Sequence, residues 1–211
     1  MTEKSGEKSG VSAKAGMGEG KRHFYAYMAR MKLIKRWTLM RNTREENDQE
    51  HSLQVAMIAH ALAVLRNKRY GGHVDTGRVT LLAVYHEAAE VITGDIATPI
   101  KYFNPGIRQA FRSVEEIASR KLMDYLPADF QEEFEPLLFP DHDGEEWALV
   151  KAADRISAYV KCLEELGCGN REFTAAQESV RRSIEEMDLP EARDFMREFA
   201  PSYLLPLDEL N

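Results

Sequence analysis

Between Leu81 and Ile92 the chain reads Leu-Leu-Ala-Val-Tyr-His-Glu-Ala-Ala-Glu-Val-Ile, an apolar run of helical length into which His86, Glu87 and Glu90 are set. An imidazole and a carboxylate buried among aliphatic side chains lose hydration worth several kcal/mol, roughly, unless a polar partner or an ion compensates. Whatever this chain folds into must therefore bring partners to His86 and Glu87. Two candidates stand out. His51 lies on the stripe Val55, Ile58, Leu62 and Leu65, and Asp154 lies on the flank of the stripe Leu149, Ala153, Ile156, Val160 and Leu163. A metal ion shared by the four is the simplest compensation.

The surrounding sequence supplies helices to carry them. Phe24, Met28, Met31 and Ile34 or Lys35 recur three and four apart, which predicts a first helix from His23 to near Trp37. An acid-rich entry, Thr43 to Asp48, leads into a helix running to about Lys68. Asp75-Thr76-Gly77 opens a third reaching to about Ile92, with Gly94 as its C-cap, and the stretch from Ile96 to Tyr102 containing Pro99 reads as a loop. Further helices are expected from Asn104-Pro105 to about Tyr125, from Pro127-Ala128-Asp129, and from Asp143-Gly144-Glu145 through Asp154. Phe173 to Phe199 reads as one or two amphipathic helices. No segment alternates with period two and no repeat appears, so the expected fold is all-α, one helical domain over residues 21–211. Residues 1–20 are mostly Gly, Ser, Lys and Glu and read as a disordered tail.

Charge and cysteine usage narrow the function classes. With 28 basic against 35 acidic residues the net charge of −7 argues against whole-molecule attraction to nucleic acid or an anionic membrane, so an anionic substrate needs a local basic pocket. Cys162 and Cys168 match neither a zinc knuckle nor a redox pair, and suggest reduced thiols in the cytoplasm. The apolar runs fall short of the roughly 20 residues of a membrane span.

Two imidazoles and two carboxylates, from His51, His86, Glu87 and Asp154, balance a divalent cation and leave positions open for water and substrate. Mixed nitrogen and oxygen donors suit Mn, Co, Fe, Ni or Zn better than Ca. On a continuous helix Glu90 would share a face with His86 and lie three residues from Glu87, placing a second acid or base at the same site. Other readings of single residues stay open here. Asp154 could pair with Arg155, and Glu87 with Glu90 could form a solvated acidic face.

These segments resemble the HD-domain phosphohydrolases, and specifically the bacterial 5′-deoxynucleotidase branch. The resemblance rests on Leu33-Ile34-Lys35-Arg36-Trp37, Glu50-His51-Ser52-Leu53-Gln54-Val55-Ala56, Tyr85-His86-Glu87-Ala88-Ala89-Glu90-Val91, Thr93-Gly94-Asp95, Thr98-Pro99-Ile100-Lys101-Tyr102-Phe103-Asn104 and Lys161-Cys162-Leu163-Glu164-Glu165-Leu166. It implies a helical bundle with the metal between helices, His51, His86, Glu87 and Asp154 as ligands, and Glu90 as the acid implicated in catalysis. Arg36, Trp37, Asp95, Ile96, Ala97, Thr98 and Asp154 fall on substrate-binding positions. The implied activity is hydrolysis of deoxyribonucleoside 5′-monophosphates by a homodimer; the same superfamily offers triphosphohydrolysis of dNTP and phosphodiester cleavage. Arg36 suits a phosphate, and Trp37 suits either a wall against the sugar or a plug ending the first helix.

Two departures accompany the resemblance. Glu87 stands where the family pattern has aspartate, adding one methylene that displaces the carboxylate by about 1 Å unless the helix or the ion adjusts. The outcomes open to it are a shifted metal preference, a slower enzyme, or a nucleotide-binding protein without turnover. Ala97 stands where the loop usually has proline.

Overall fold

The computed structural model describes residues 21–101 and 103–211, with backbone alone for Thr98 and Pro99. The expected tail, residues 1–20, lies outside the described residues. Among the described residues ten α-helices follow in order: α1 Phe24–Met28, α2 Asp48–Arg69, α3 Thr76–Tyr85, α4 Glu90–Thr93, α5 Thr98–Lys101, α6 Pro105–Met123, α7 Ala128–Leu138, α8 Glu145–Gly167, α9 Thr174–Glu185 and α10 Pro190–Glu198, with short 3-10 turns between and after them. Among the described residues there is no β-strand, only an isolated antiparallel bridge between Lys35 and Asn47. None of these helices is long and apolar enough to cross a membrane.

The main helix starts are capped as their sequences demand. Asn47 accepts from the N–H groups of Gln49 and Glu50, Asp75 from those of Gly77 and Arg78, and Asn104 from that of Ile107. Such caps are worth about 1 kcal/mol each. At the other end of the α3 and α4 region, Gly94 closes α4 with φ +73, a conformation open to glycine.

α2 is the central rod. Its face Val55, Ile58, Ala59, Leu62 and Ala63 packs against Val79, Leu82 and Ala83 of α3 and against Leu149, Ala153, Ile156 and Val160 of α8. A second, smaller core gathers Phe24 of α1, Ala88, Leu122 of α6, Leu126 and Leu138 of α7. Burial of each large aliphatic in these cores contributes about 1.5–3 kcal/mol.

Three expectations are corrected. The first helix ends at Met28 rather than near Trp37: after a 3-10 turn, Met31–Leu33, the chain turns extended, the Arg36 N–H donates to the Glu46 carbonyl and the Asp48 N–H to that of Ile34. The apolar period runs on through this segment, but long-range pairing with residues 46–48 overrides it. The helix expected to reach Ile92 is interrupted at residues 86–89, where the bonds Ala88 N–H to Tyr85 O and Glu90 N–H to Glu87 O span three residues instead of four. That tightened turn moves the chain from one core to the other, because Leu82 and Ala83 belong to the first and Ala88 to the second. The stretch read as a loop, 96–102, contains the helical turn α5, begun where Ala97 O accepts from Ile100 and Lys101.

Candidate metal and phosphate site

His51 rises from the first turn of α2, Asp154 from α8, and His86 and Glu87 from the turn between α3 and α4. One donor atom from each lies within 4.8 Å of the other three. His51 Nε2 is 3.2 Å from Asp154 Oδ1, and His86 Nε2 is 3.3 Å from Glu87 Oε1 and 3.9 Å from Asp154 Oδ1. Opposite ligands of an ion with bonds of about 2.1 Å stand about 4.2 Å apart, so a modest contraction suffices to close the set.

The outer nitrogens settle which atoms face the centre. His86 Nδ1 lies 2.7 Å from the Ala83 carbonyl and donates to it. Ser157 donates its hydroxyl to Gln54 Oε1 at 2.8 Å, which leaves its oxygen to accept from His51 Nδ1 at 3.2 Å. Both Nε2 atoms are thereby turned inward, and both are buried with no hydrogen-bond partner. Buried polar atoms are rarely left so. Two inward nitrogens flanked by two carboxylates are what a divalent ion with nitrogen and oxygen preference requires, with Ser157 and the Ala83 carbonyl as the groups that orient the imidazoles.

The charges respond accordingly. Burial, with Arg36 nearby, lowers His51 to about 4. Burial would lower His86 as well, but Glu87 and Asp154 outweigh it and raise His86 to about 9. Glu87 is held well below the usual carboxylate range against its own burial, chiefly by His86; Asp154 is held low by Lys151 and both histidines. His51, His86, Glu87 and Asp154 would hold a metal only with His86 neutral, so metal uptake would release that proton.

A second group of polar residues borders the first. Arg36, with a side chain 14% exposed, stands 3.4 Å from Glu46, 3.8 Å from Asp48 and 3.9 Å from Glu87. Burial and the neighbouring Glu87 push the Glu90 carboxyl up to about 12. Asp48 is fully buried with neither oxygen hydrogen-bonded, and burial pushes it up to about 7 against the pull of Arg36. The Asp95 carboxyl is half-buried and raised, by burial foremost.

Each residue singled out from sequence thus has a place. His51, His86, Glu87 and Asp154 come together, with Arg36, Glu90 and Asp95 in their electrostatic reach. Glu87 and Glu90 are no solvated face, since Glu90 is only 7% exposed. Asp154 pairs with Lys151 at 2.5 Å, whereas Arg155 donates to the Ser183 carbonyl. Trp37 is not a helix plug: it sits at φ +57, its indole N–H donates to Glu46 and its ring packs at 5.4 Å on Phe173. Ile96 and Ala97 follow Gly94 into α5 and are half-buried, while the Thr98 side chain lies outside the description. Asp48 and Ser157 were missed as polar neighbours of the site. Their signal was spacing, for Asp48 is three residues before His51 and Ser157 three after Asp154, each on the same helical face.

The family model described as 5′-deoxynucleotidase YfbR-like matches residues 23–203. A 5′-deoxynucleotidase of Vibrio vulnificus is 50% identical over 190 residues, 90% of this chain and 98% of that protein. One from Escherichia coli O1:K1 is likewise 50% identical, over 90% of this chain and 96% of its own. An HD-domain phosphohydrolase from Listeria innocua shares the fold with a TM-score of 0.75 at 22% identity, over 88% of this chain and 90% of that one. The HD phosphohydrolase of cyanophage S-2L, solved with dA and one catalytic zinc ion, shares it with a TM-score of 0.60 at 19% identity, over 85% and 95%.

Proposed function

The chain belongs to the 5′-deoxynucleotidase YfbR-like family, and from that premise we propose that it is a divalent-metal-dependent phosphatase releasing phosphate from deoxyribonucleoside 5′-monophosphates. The observation that carries this reading is the convergence of two inward imidazole nitrogens and two carboxylates beside a buried arginine. His51, His86, Glu87 and Asp154 hold one transition ion, taken from Co, Mn, Ni, Fe and Zn. Bound there, the ion supplies a Lewis acid for a phosphoryl oxygen and acidifies a water.

The chain's own residues do the rest. Arg36 binds phosphate oxygens, exchanging its looser carboxylate neighbours for a charge-assisted pair. As water adds to phosphorus and the bond to the 5′-oxygen breaks, Glu90 hands a proton to the departing oxygen and takes one back from the water. Trp37 and the 95–98 segment border the sugar, and Asp154 touches substrate as well as metal. The cyanophage structure, which holds a deoxynucleoside and zinc in this fold, supports the substrate class. Residues 21–211 form the catalytic domain, working in the cytoplasm as a homodimer. Exposed Leu53, Met57 and Val64 on the outer side of α2 supply apolar surface for a second copy.

The direct test is phosphate release from dNMP against NMP by protein loaded with Mn or Co, with elemental analysis of the bound metal. Release from dNMP and not NMP is expected. Absence of release, or release of triphosphate from dNTP in its place, overturns the proposal; sedimentation gives the oligomeric state.

A further inference from the structure

Residues 34–47 carry Arg36 and Trp37 yet form no regular element. They leave the body after the 3-10 turn and return at the Lys35 and Asn47 bridge, which closes the neck of the excursion. The far end is fastened to the C-terminal half of α8. Glu165, 1% exposed, accepts from the Thr43 N–H at 2.8 Å, the Thr43 hydroxyl at 2.7 Å, the Arg44 N–H at 3.2 Å and Asn170 Nδ2 at 2.8 Å. Lys161, 4% exposed, donates to Glu165 and to the Arg44 carbonyl, each at 2.5 Å. Asn170 also donates to the Arg41 carbonyl at 2.7 Å. Phe173, fully buried, takes the Lys161 ammonium over one side at 5.8 Å and the Trp37 ring at 5.4 Å.

Asp154, Ser157, Lys161 and Glu165 are spaced three, four and four apart, so they form one polar stripe along α8. The upper part of the stripe meets His51. The lower part meets the excursion. From Asp154 to Glu165 is about 16 Å of rigid helix, and that rod joins the fastened tip of the excursion to the metal group. A buried ion pair is a poor source of stability, since an apolar pair of equal volume does as well. An apolar pair has no oxygens for the Thr43 and Arg44 N–H groups. What the ion pair adds is a fixed position for the tip of a segment whose backbone bridging is confined to its neck.

We propose that Lys161 and Glu165 are positioning residues of the phosphatase, holding the 34–47 excursion so that Arg36 and Trp37 face the substrate bound at the metal group. The proposal rests on the function inferred above. It predicts a defect in substrate binding and sugar discrimination rather than in metal loading.

The test uses metal-loaded, full-length protein with Glu165→Gln and, as a gentler variant at an exposed position, Thr43→Val. For Glu165→Gln the KM for dAMP should rise about tenfold, as for a modest misplacement of binding groups. The preference for dAMP over AMP should narrow, metal content should stay at the wild-type level, and kcat should move less than KM. Trypsin should cut after Arg41 and Arg44 faster than in wild type. Thr43→Val should shift KM and trypsin sensitivity in the same direction by less, which serves if Glu165→Gln does not fold. A folded variant with wild-type KM, preference and trypsin resistance overturns the proposal. So does loss of kcat or of metal with KM unmoved. Were the wild type itself inactive on dAMP, the function would fall, and trypsin sensitivity with tryptophan-fluorescence titration by dAMP would still decide the role of the pair.

Discussion

The two halves of α8 bury polar groups to similar depth and treat them differently. Near Asp154, His51 Nε2 and His86 Nε2 have no hydrogen-bond partner, and the adjoining Asp48 and Glu90 carry unbonded oxygens as well. Near Glu165, the carboxylate takes five different donors and the Lys161 ammonium two acceptors. Depth of burial therefore does not separate a reactive centre from a fastening. Partner accounting distinguishes these two ends, because an atom left bare inside a protein costs about 1–3 kcal/mol.

The comparison breaks hardest at the bare end. His86→Ala should strip the metal and lower phosphatase activity by more than about 100-fold, measured as bound metal per chain and phosphate released. Glu90→Gln should cost about 100-fold or more in kcat while metal content stays constant. If Glu90→Gln loses metal, its separation from the ligand set is wrong.

Glu87→Asp sharpens the same end. Glu87 Oε1 already reaches within 3.3 Å of His86 Nε2 from the tightened turn, so the longer side chain suits its backbone. Shortening it withdraws the oxygen by about 1 Å and should lower kcat/KM by up to about 100-fold. A gain of activity would instead mark the glutamate as an impairment.

At the satisfied end the expected losses are of stability and smaller in rate. Glu165→Leu strands the Lys161 charge and should cost about 3–5 kcal/mol in urea unfolding. Adding Lys161→Met should recover most of that stability, while the raised KM for dNMP remains. Recovery of both would reduce the pair to packing.

The smallest effect concerns pH. Burial would raise the Glu165 carboxyl, yet bonds from Lys161, Asn170 and Thr43 hold it well below its ordinary 4.5. The unfolded chain thus takes up this proton first, so the stabilisation is complete above about pH 5 and drains away as pH falls toward the folded value, about 1–2 kcal/mol by pH 3. Glu165→Gln should flatten this acid limb in the pH dependence of urea midpoints.

Much of this was readable beforehand where the determinants are local. Asn47, Asp75 and Asn104 mark helix starts by chemistry confined to three or four residues, and the apolar stripes of α2 and α8 follow from period alone. His51, His86, Glu87 and Asp154 were found because a chargeable group on an apolar stripe needs an explanation. What escaped depends on distant partners. The halt of α1 comes from pairing with residues 46–48, the break at residues 86–89 from the change of core, and the role of Glu165 from backbone groups more than 120 positions away. Trp37 at φ +57 carries no local mark, since nothing in an Arg-Trp dipeptide announces a left-handed backbone.

An excursion shut at its neck by the Lys35 and Asn47 bridge and fastened at its tip behaves as a cassette. Its two attachments leave the rods that carry His51 and Asp154 to be built by their own packing. On the proposed roles of Arg36 and Trp37, substrate choice and metal chemistry become separately adjustable, so that a chain built this way can diversify what it accepts while keeping how it cuts.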